Sequence, residues 1–513
     1  MRYLPHARRG GILKSLLLVI AGIVLLLLLV VGFEFYLGAT AKPTITVNYT
    51  QRIHDARLER QRAANGPGLN QHPLFEEHMV FIRSVNEQAV ERWIDASSDP
   101  ADPWAPPSFD LMYTVPEKGT REQFAAAQRL VREGLEFWRA QGVFERSAEL
   151  ATLERLARPP FDGPVFQWLL PHLGTARMLA RAQAARAHVA AERGDADEWL
   201  TAIEEMFVIA RHIEGMGSLI DYLVGVAIRS LARTALLETM LKHGLHDASM
   251  LDRIETVVHR ELINSAVPLE RVLNNERAFV DDIIQRSFTD NGNGNGRFIP
   301  LAFSRLMGEQ VFGSGSMMLP LGDNAASNIH GRLFFDRREA TEWADAQWAL
   351  YIESAAAQGA DAVALDRKSE SAAIEQDWRN PITSVISNYT RTIMTSRVDR
   401  IQTQGLLVFL AIERYRLQYE DALPQTLDDL GDLLPEQLRT DPFTGQPWDY
   451  QPKPRTLDAS KQPLRDGAMA WPYTLGSRGL PGMEPNRPSE RNNHAYYGVL
   501  ITQPIQGPSY DTW

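Results

Sequence analysis

The first pattern along the chain is an unbroken apolar one. Residues 15–33, from Ser15 to Phe33, carry no charge, and at ~1.5 Å rise per residue such a run matches a hydrocarbon core of ~30 Å. Arg2, Arg8, Arg9 and Lys14 precede it without an acid, and Glu34 follows at once. Basic residues on a short flank hold that flank in the cytoplasm. The pattern therefore predicts a cytoplasmic tail over 1–14 and a transmembrane anchor over 15–37, with the lipid bilayer as partner. It also predicts a single pass through the inner (cytoplasmic) membrane, with the body outside the cytoplasm. Ala39-Thr40-Ala41 fits a small-x-small cleavage site, so a cleaved leader is the alternative. The length of the run, beyond the ~7–15 residues of a leader core, favours the uncleaved anchor.

Beyond it the period changes to that of amphipathic helices. Thr44–Thr50 alternates and reads as a short strand or an extended stem. Helices are expected over Pro73–Ala96 and Thr120–Gly142, separated by a proline-rich loop from Asp99 to Pro116. The clearest periodicity lies between Leu173 and Leu262. One helix stops at Arg193-Gly194-Asp195, and the next carries Trp199, Ile203, Met206, Phe207, Ala210 and Ile213 on one stripe. A third, over Leu219–Leu241, is apolar on most faces and reads as the buried centre; Gly244 closes it and a fourth follows. Short glycine turns between helices of this length imply antiparallel neighbours. The two pairs begin about 45 residues apart, within the range of helical-repeat units, although two pairs do not define a repeat. Further helices are expected at Leu269–Ser287, Arg337–Ala357 and Ile382–Tyr419.

Composition then shifts. Twelve of the thirty prolines fall in residues 435–513, which excludes long helices there. Trp448-Asp449-Tyr450, Tyr473-Thr474-Leu475 and Tyr496–Ile505 are the strand candidates. The fold class expected is mainly α: an N-terminal transmembrane helix, antiparallel helical hairpins and a small C-terminal α+β module. The domains are a helical extracytoplasmic domain over 38–380, then a long helix plus proline-rich α+β module over 381–513. The chain has no cysteine, which removes disulfides, thiolate metal sites and thiol nucleophiles. Its net charge of −11 gives no bulk field for nucleic acid.

Part of the C-terminal region resembles a known module. Ala411–Leu430 (AIERYRLQYEDALPQTLDDL) followed by Thr440–Pro452 (TDPFTGQPWDYQP) is similar to the globular portion of type II secretion pseudopilins. There a long helix ends, a turn leads into a short helix, and an Asp-Pro-x-x-Gly-x-Pro turn opens a small sheet. In layout the chain also resembles large bacterial single-pass membrane proteins with a helical exported domain. The residues agree with the module: Pro424 stops the long helix, Thr426 can cap Leu427–Leu434, and Asp441-Pro442 with Gly445 makes a tight turn. There are departures. The apolar segment lies far upstream of this long helix, and the acidic loop that binds calcium in major pseudopilins has one acid here, Glu484, within Gly476–Asn486. The resemblance implies the module's fold, and neither pilus assembly nor that calcium site.

Candidate chemistry is sparse. Asn291-x-Asn293-x-Asn295-Gly296-x-Phe298 has the oxygen spacing and position-six glycine of an EF-hand calcium loop. Its ligands Asn291, Asn293 and Asn295 are neutral, and Ala302 stands where a bidentate Glu is needed. Those missing charges favour a plain Asn-Gly loop. His243 and His246 straddle a helix cap, and His78 beside Glu76 and Glu77 lacks a second histidine at HExxH spacing. No nucleophile motif is in context, Ser316 included. Glu204-Glu205 and Asp281-Asp282 read as solvated helix faces. Trp343, Trp348, Trp448, Trp471 and Trp513 read as core, with a groove for a protein or glycan partner as the alternative. No catalytic residue and no cofactor is assigned. The function expected is a membrane-tethered extracytoplasmic binding or scaffolding protein, non-enzymatic. The alternatives are a component or client of a secretion or pilus-like apparatus, and an envelope-polymer hydrolase.

Overall fold

Capping residues set where the helices of the central hairpins begin. Asp195 accepts from the Glu198 N–H and Asp247 from the Met250 N–H, while Ser218 and Asp221 form a reciprocal capping box. Gly194 and Gly244, both with positive φ, let the preceding helices stop. The computed structural model describes residues 9–96, 109, 121–165, 170–244, 247–263, 267–307, 334–374, 379–386, 389–453, 471–477 and 501. In chain order the helices are α1 (Arg9–Thr40), α2 (Tyr49–Asn65), α3 (His72–Ala96), α4 (Arg121–Ala140), α5 (Val143–Ala151), α6 (His172–Glu192) and α7 (Ala196–Glu214). They continue as α8 (Leu219–His243), α9 (Ala248–Val258), α10 (Leu269–Ser287), α11 (Pro300–Met307), α12 (Arg337–Ala356), α13 (Gly359–Ile374) and α14 (Thr390–Gln418). A π turn, His259–Ile263, prolongs α9. The protein is mainly helical, and among the described residues its strands, β1 (Asp449–Gln451) and β2 (Thr474–Gly476), form one antiparallel pair with Tyr450 opposite Leu475.

The stripe on α7 decides the packing. Trp199, Ile203, Met206 and Phe207 face α8, α9 and α14 in one apolar cluster, while Ile209, Ala210 and Ile213 face α3, α5 and α6 in a second. A third cluster joins α10, α11 and α12 to the start of α14. The small residues of α6, among them Ala180, Ala184 and Ala187, are fully buried and bring α7 and α8 close. The C-terminal module shares the first cluster through Phe443, Trp448, Trp471, Tyr473 and Leu475. Thr426 and Asp429 cap its short 3-10 helix, Leu427–Leu433. Its turn is held by Asp441, which accepts from the Phe443 N–H at 2.8 Å and also bonds Ser477. Tyr473 ties it to α14 by donating to Glu413 at 2.7 Å. The chain before α2 is an extended stem fixed by Gln285, whose side chain bonds Thr46 and Val47.

The membrane expectations need correction. Among the described residues no helix is long and apolar enough to cross a membrane, so the transmembrane anchor over 15–37 is not supported, nor is the single-pass inner-membrane location with an extracytoplasmic body. Neither the short helix α11 nor α13 was anticipated. The strand expected over Tyr496–Ile505 lies outside the described residues except for Ile501, whose N–H donates to Leu475 at 2.9 Å.

Gly225 of α8 allows the closest of these approaches. A Cβ there would lie 2.2 Å from Glu214 Cγ and 2.7 Å from the Ala210 carbonyl oxygen, and backbone cannot yield. Gly225→Ala is expected to lower unfolding free energy by about 1–3 kcal/mol through overpacking. Alanine's helix preference of ~1 kcal/mol acts in the opposite direction. Urea unfolding followed by circular dichroism measures the net effect, and a raised midpoint would contradict this packing.

Candidate functional site: an arginine pocket beside the α7–α8 turn

Residues that cap α8 also form the wall behind a cavity. Asp221, fully buried, accepts from the Ser218 hydroxyl at 2.8 Å and lies 3.0 Å from Arg158 Nη2 and 3.2 Å from His172 Nε2. Burial pushes the Asp221 carboxyl up, but His172, Arg158 and Ser218 together outweigh it and hold the group below the usual carboxylate range. A serine, a histidine and an aspartate meet here, yet Ser218 and His172 both bond the same carboxylate. A nucleophile–base–acid relay needs serine on histidine. The arrangement is a helix cap reinforced by an ion pair.

In front of that wall is a cavity of about 550 Å³ between α2, α10 and the α7–α8 turn. Arg57, Arg60 and Gln61 reach it from one face of α2, Arg271 and Asn275 from α10, and Glu214 from the end of α7. Spacings of three and four residues place Arg57, Arg60 and Gln61 together. Arg57 is the most buried of the three arginines, 8% exposed, and its Nε and Nη1 have no hydrogen-bond partner. Its Nη2 is packed against Gly215, where a Cβ would stand 3.1 Å away. Burial and the neighbouring Arg158 push Arg57 down to about 9, so it remains charged at neutral pH. Burial and Arg271 likewise lower Arg60. Among the described residues no carboxylate forms an ion pair with Arg57, Arg60 or Arg271. The Gln61 amide oxygen, also buried, lacks a partner too.

The pocket's acid does not cancel this charge. Glu214, 1% exposed, is raised to about 8 by burial, with Arg229 opposing and Asp399 reinforcing the shift. Its Oε1 stands 2.9 Å from Arg229 Nη2, in contact but without hydrogen-bond alignment. Arg229 in turn lies 2.7 Å from Asp399, as does Arg233. At neutral pH the pocket presents three guanidinium groups beside a protonated carboxyl. Guanidinium forks match phosphate and carboxylate geometry, so the arrangement can hold an oxyanion.

The residues singled out from sequence lie elsewhere. Asn291, Asn293 and Asn295 are exposed on a loop closed by the Phe288–Phe298 bridge. Asn291 Oδ1 accepts from the Asn293 N–H at 3.1 Å, its amide reaches Asn295 O at 3.4 Å, and Asp290 pairs with Arg337 at 3.0 Å. The loop's own hydrogen bonds account for it. His78 contacts Arg146 and Glu149; His246, Ser316 and Trp513 lie outside the described residues. Two acids read as solvated are buried instead. Glu205 accepts from Ser147 and Gln183, each at 2.5 Å, and Asp282 accepts from the Val165 N–H at 2.8 Å and binds Arg286. Trp348, Trp448 and Trp471 are core residues. Sequence reading missed Arg57, although its i, i+3 partner Arg60 and an otherwise polar α2 were the available signal.

No protein-family model matches the chain, and neither a curated protein nor a solved structure matches it. The reading of the pocket therefore rests on its geometry.

The buried titratable groups predict opposed pH trends. Glu214, at about 8 in the fold against 4.5 ordinarily, keeps its proton while the unfolded chain releases one. Its contribution is full below pH 4.5 and is lost as pH rises through 8. His72, His188 and His212, each lowered by burial to about 3, act in the other direction and lose stability as pH falls from 6.5 towards 3. Glu214→Gln should therefore steepen the histidine-driven rise in stability between pH 4.5 and 6.5, remove the decline from 6.5 to 8, and leave the dependence below pH 4.5 unchanged. Urea midpoints measured across that range decide it; parallel curves for variant and wild type would contradict the assignment.

Proposed function

We propose that the protein binds a small oxyanionic ligand, one carrying a phosphate or carboxylate group, in the Arg57–Arg60–Arg271 pocket. The observation that carries this reading is the buried, unpartnered guanidinium of Arg57 at the base of the cavity. An uncompensated buried charge costs several kcal/mol, and a fold retains one at a stability loss. An anion on Arg57 would accept from Nε or from Nη1, which lie on different edges of the guanidinium, and Arg60 and Arg271 would hold a second negative group nearer solvent. Ile53, Val267 and Val272 on the same cavity give an organic body an apolar surface. A cationic pocket on an acidic chain attracts anions locally without a general affinity for polyanions. The role supported is that of a binding protein.

Titration calorimetry with inorganic pyrophosphate, with citrate as a carboxylate counterpart, tests the reading. One of the two should bind at a single site, weakening as salt is raised. Arg57→Met should reduce that affinity about tenfold to a hundredfold, the loss of charge-assisted hydrogen bonds worth ~1.5–3 kcal/mol. The same variant should stabilise the ligand-free protein by about 1–3 kcal/mol, because the buried charge is gone. Absence of binding by either anion, or Arg57→Met that destabilises the free protein, would overturn the proposal.

A further inference from the structure

A second cavity, of about 460 Å³, meets the first at Val267, which lines both. It lies between the α8 face bearing Tyr222 and Arg229, the ends of α9 and α12, and the middle of α14. Its walls differ in chemistry. One is apolar: the π turn places Leu262 and Ile263 on the cavity, with Leu269 and Ile352 opposite, and Ile263 is 38% exposed. π turns concentrate where a helix is re-aimed for function. The other wall is α14, where Arg397, Asp399 and Arg400 line the cavity.

These charges are not equivalent. Asp399 is neutralised by Arg229 and Arg233. Arg397 pairs with Asp366 at 2.7 Å and reaches the Ser354 carbonyl at 2.5 Å, yet its buried Nε has no partner. Arg400 forms no ion pair among the described residues, and its one hydrogen bond, to the Pro442 carbonyl, is stretched to 3.5 Å. Glu270 stands at the rim, exposed to water. The cavity thus joins a solvent-facing apolar wall to a cation that forms no ion pair among the described residues and on which Asp441 acts without contact.

From this juxtaposition we infer that the α8–α14 cavity is a second, separate binding site that takes an aliphatic monocarboxylate, its carboxylate on Arg400 and its chain along Ile263, Leu269 and Ile352. The site differs from the arginine pocket in needing one negative charge and a continuous apolar body. It does not depend on the oxyanion reading of that pocket, since neither Arg57 nor Arg60 reaches it.

Titration calorimetry of the full chain with octanoate tests the inference, with octanol as the uncharged counterpart. Octanoate should bind at one site and octanol at least tenfold more weakly. Arg400→Gln should reduce octanoate affinity at least tenfold and leave octanol unaffected, while Arg57→Met should leave both unchanged. Ala355→Phe, which fills the cavity without touching a charge, should abolish binding of both and guards against a folding defect in the first variant. Equal affinities for octanoate and octanol, unaltered octanoate binding in Arg400→Gln, or loss in Arg57→Met would each overturn the assignment.

Discussion

Arg229 of α8 joins three helices through its guanidinium. It contacts Glu214 at the end of α7 and Asp399 of α14, and Arg233 one turn on reaches the same Asp399 at 2.7 Å. All four side chains are buried. Asp399 and its two arginines are charges out of water that demand partners in fixed geometry, while the protonated Glu214 faces Arg229 as a neutral carboxyl, and removing Asp399 leaves both guanidinium groups uncompensated. This cluster therefore sets the register of α8 against both neighbours more tightly than apolar contact alone could. Gly225 lies one turn before Arg229 and lets α7 approach closely enough for Glu214 to reach it. The remaining helices are arranged on this core: α3 to α6 on one side, α10 to α12 on the other, and the C-terminal module against α14.

Against that pattern Arg57 stands out. The other deeply buried cations of the central region, Arg158, Arg229, Arg233 and Arg397, each have a carboxylate partner. Among the described residues Arg57 forms no ion pair, and neither does the half-buried Arg400. Both line cavities, and the two cavities meet at Val267. Unpaired cations located at open space, in a fold that pairs its charges elsewhere, support ligand binding more strongly than cavity volume does. The Ser218–His172–Asp221 grouping carries less functional weight, because its hydrogen bonds are consumed in starting α8.

Local signals made the hairpins legible in the sequence. Asp195, Ser218 and Asp247 cap helices where polar residues precede apolar stripes, and Gly194 and Gly244 end them. Thr426 and Asp441 likewise announce the turns of the C-terminal module. What depends on contacts between distant residues was not legible. Glu205 and Asp282 sit on helices with the periodicity of surface acids, yet partners 58 and 117 residues away draw Glu205 and Asp282 inside. The π turn at His259–Ile263 has no proline or glycine to mark it. α13, with alternating Ala, Asp, Ser and Glu, lacks an apolar stripe and is held by Ala362, Val363 and the buried Asp366. The N-terminal apolar run was the plainest one-dimensional signal, yet the membrane span read from it is not supported, since among the described residues no helix is long and apolar enough to cross a membrane.

The central claim is that Arg57 is left unpaired in the fold because an anion belongs there. Its most direct measurement is anomalous diffraction from crystals of the protein soaked in tungstate, a heavy oxyanion. The account predicts an anomalous peak within hydrogen-bonding distance of the Arg57 guanidinium, bounded by Arg60 and Arg271. Tungstate bound only at other positions, with Arg57 contacting protein atoms alone, would contradict it.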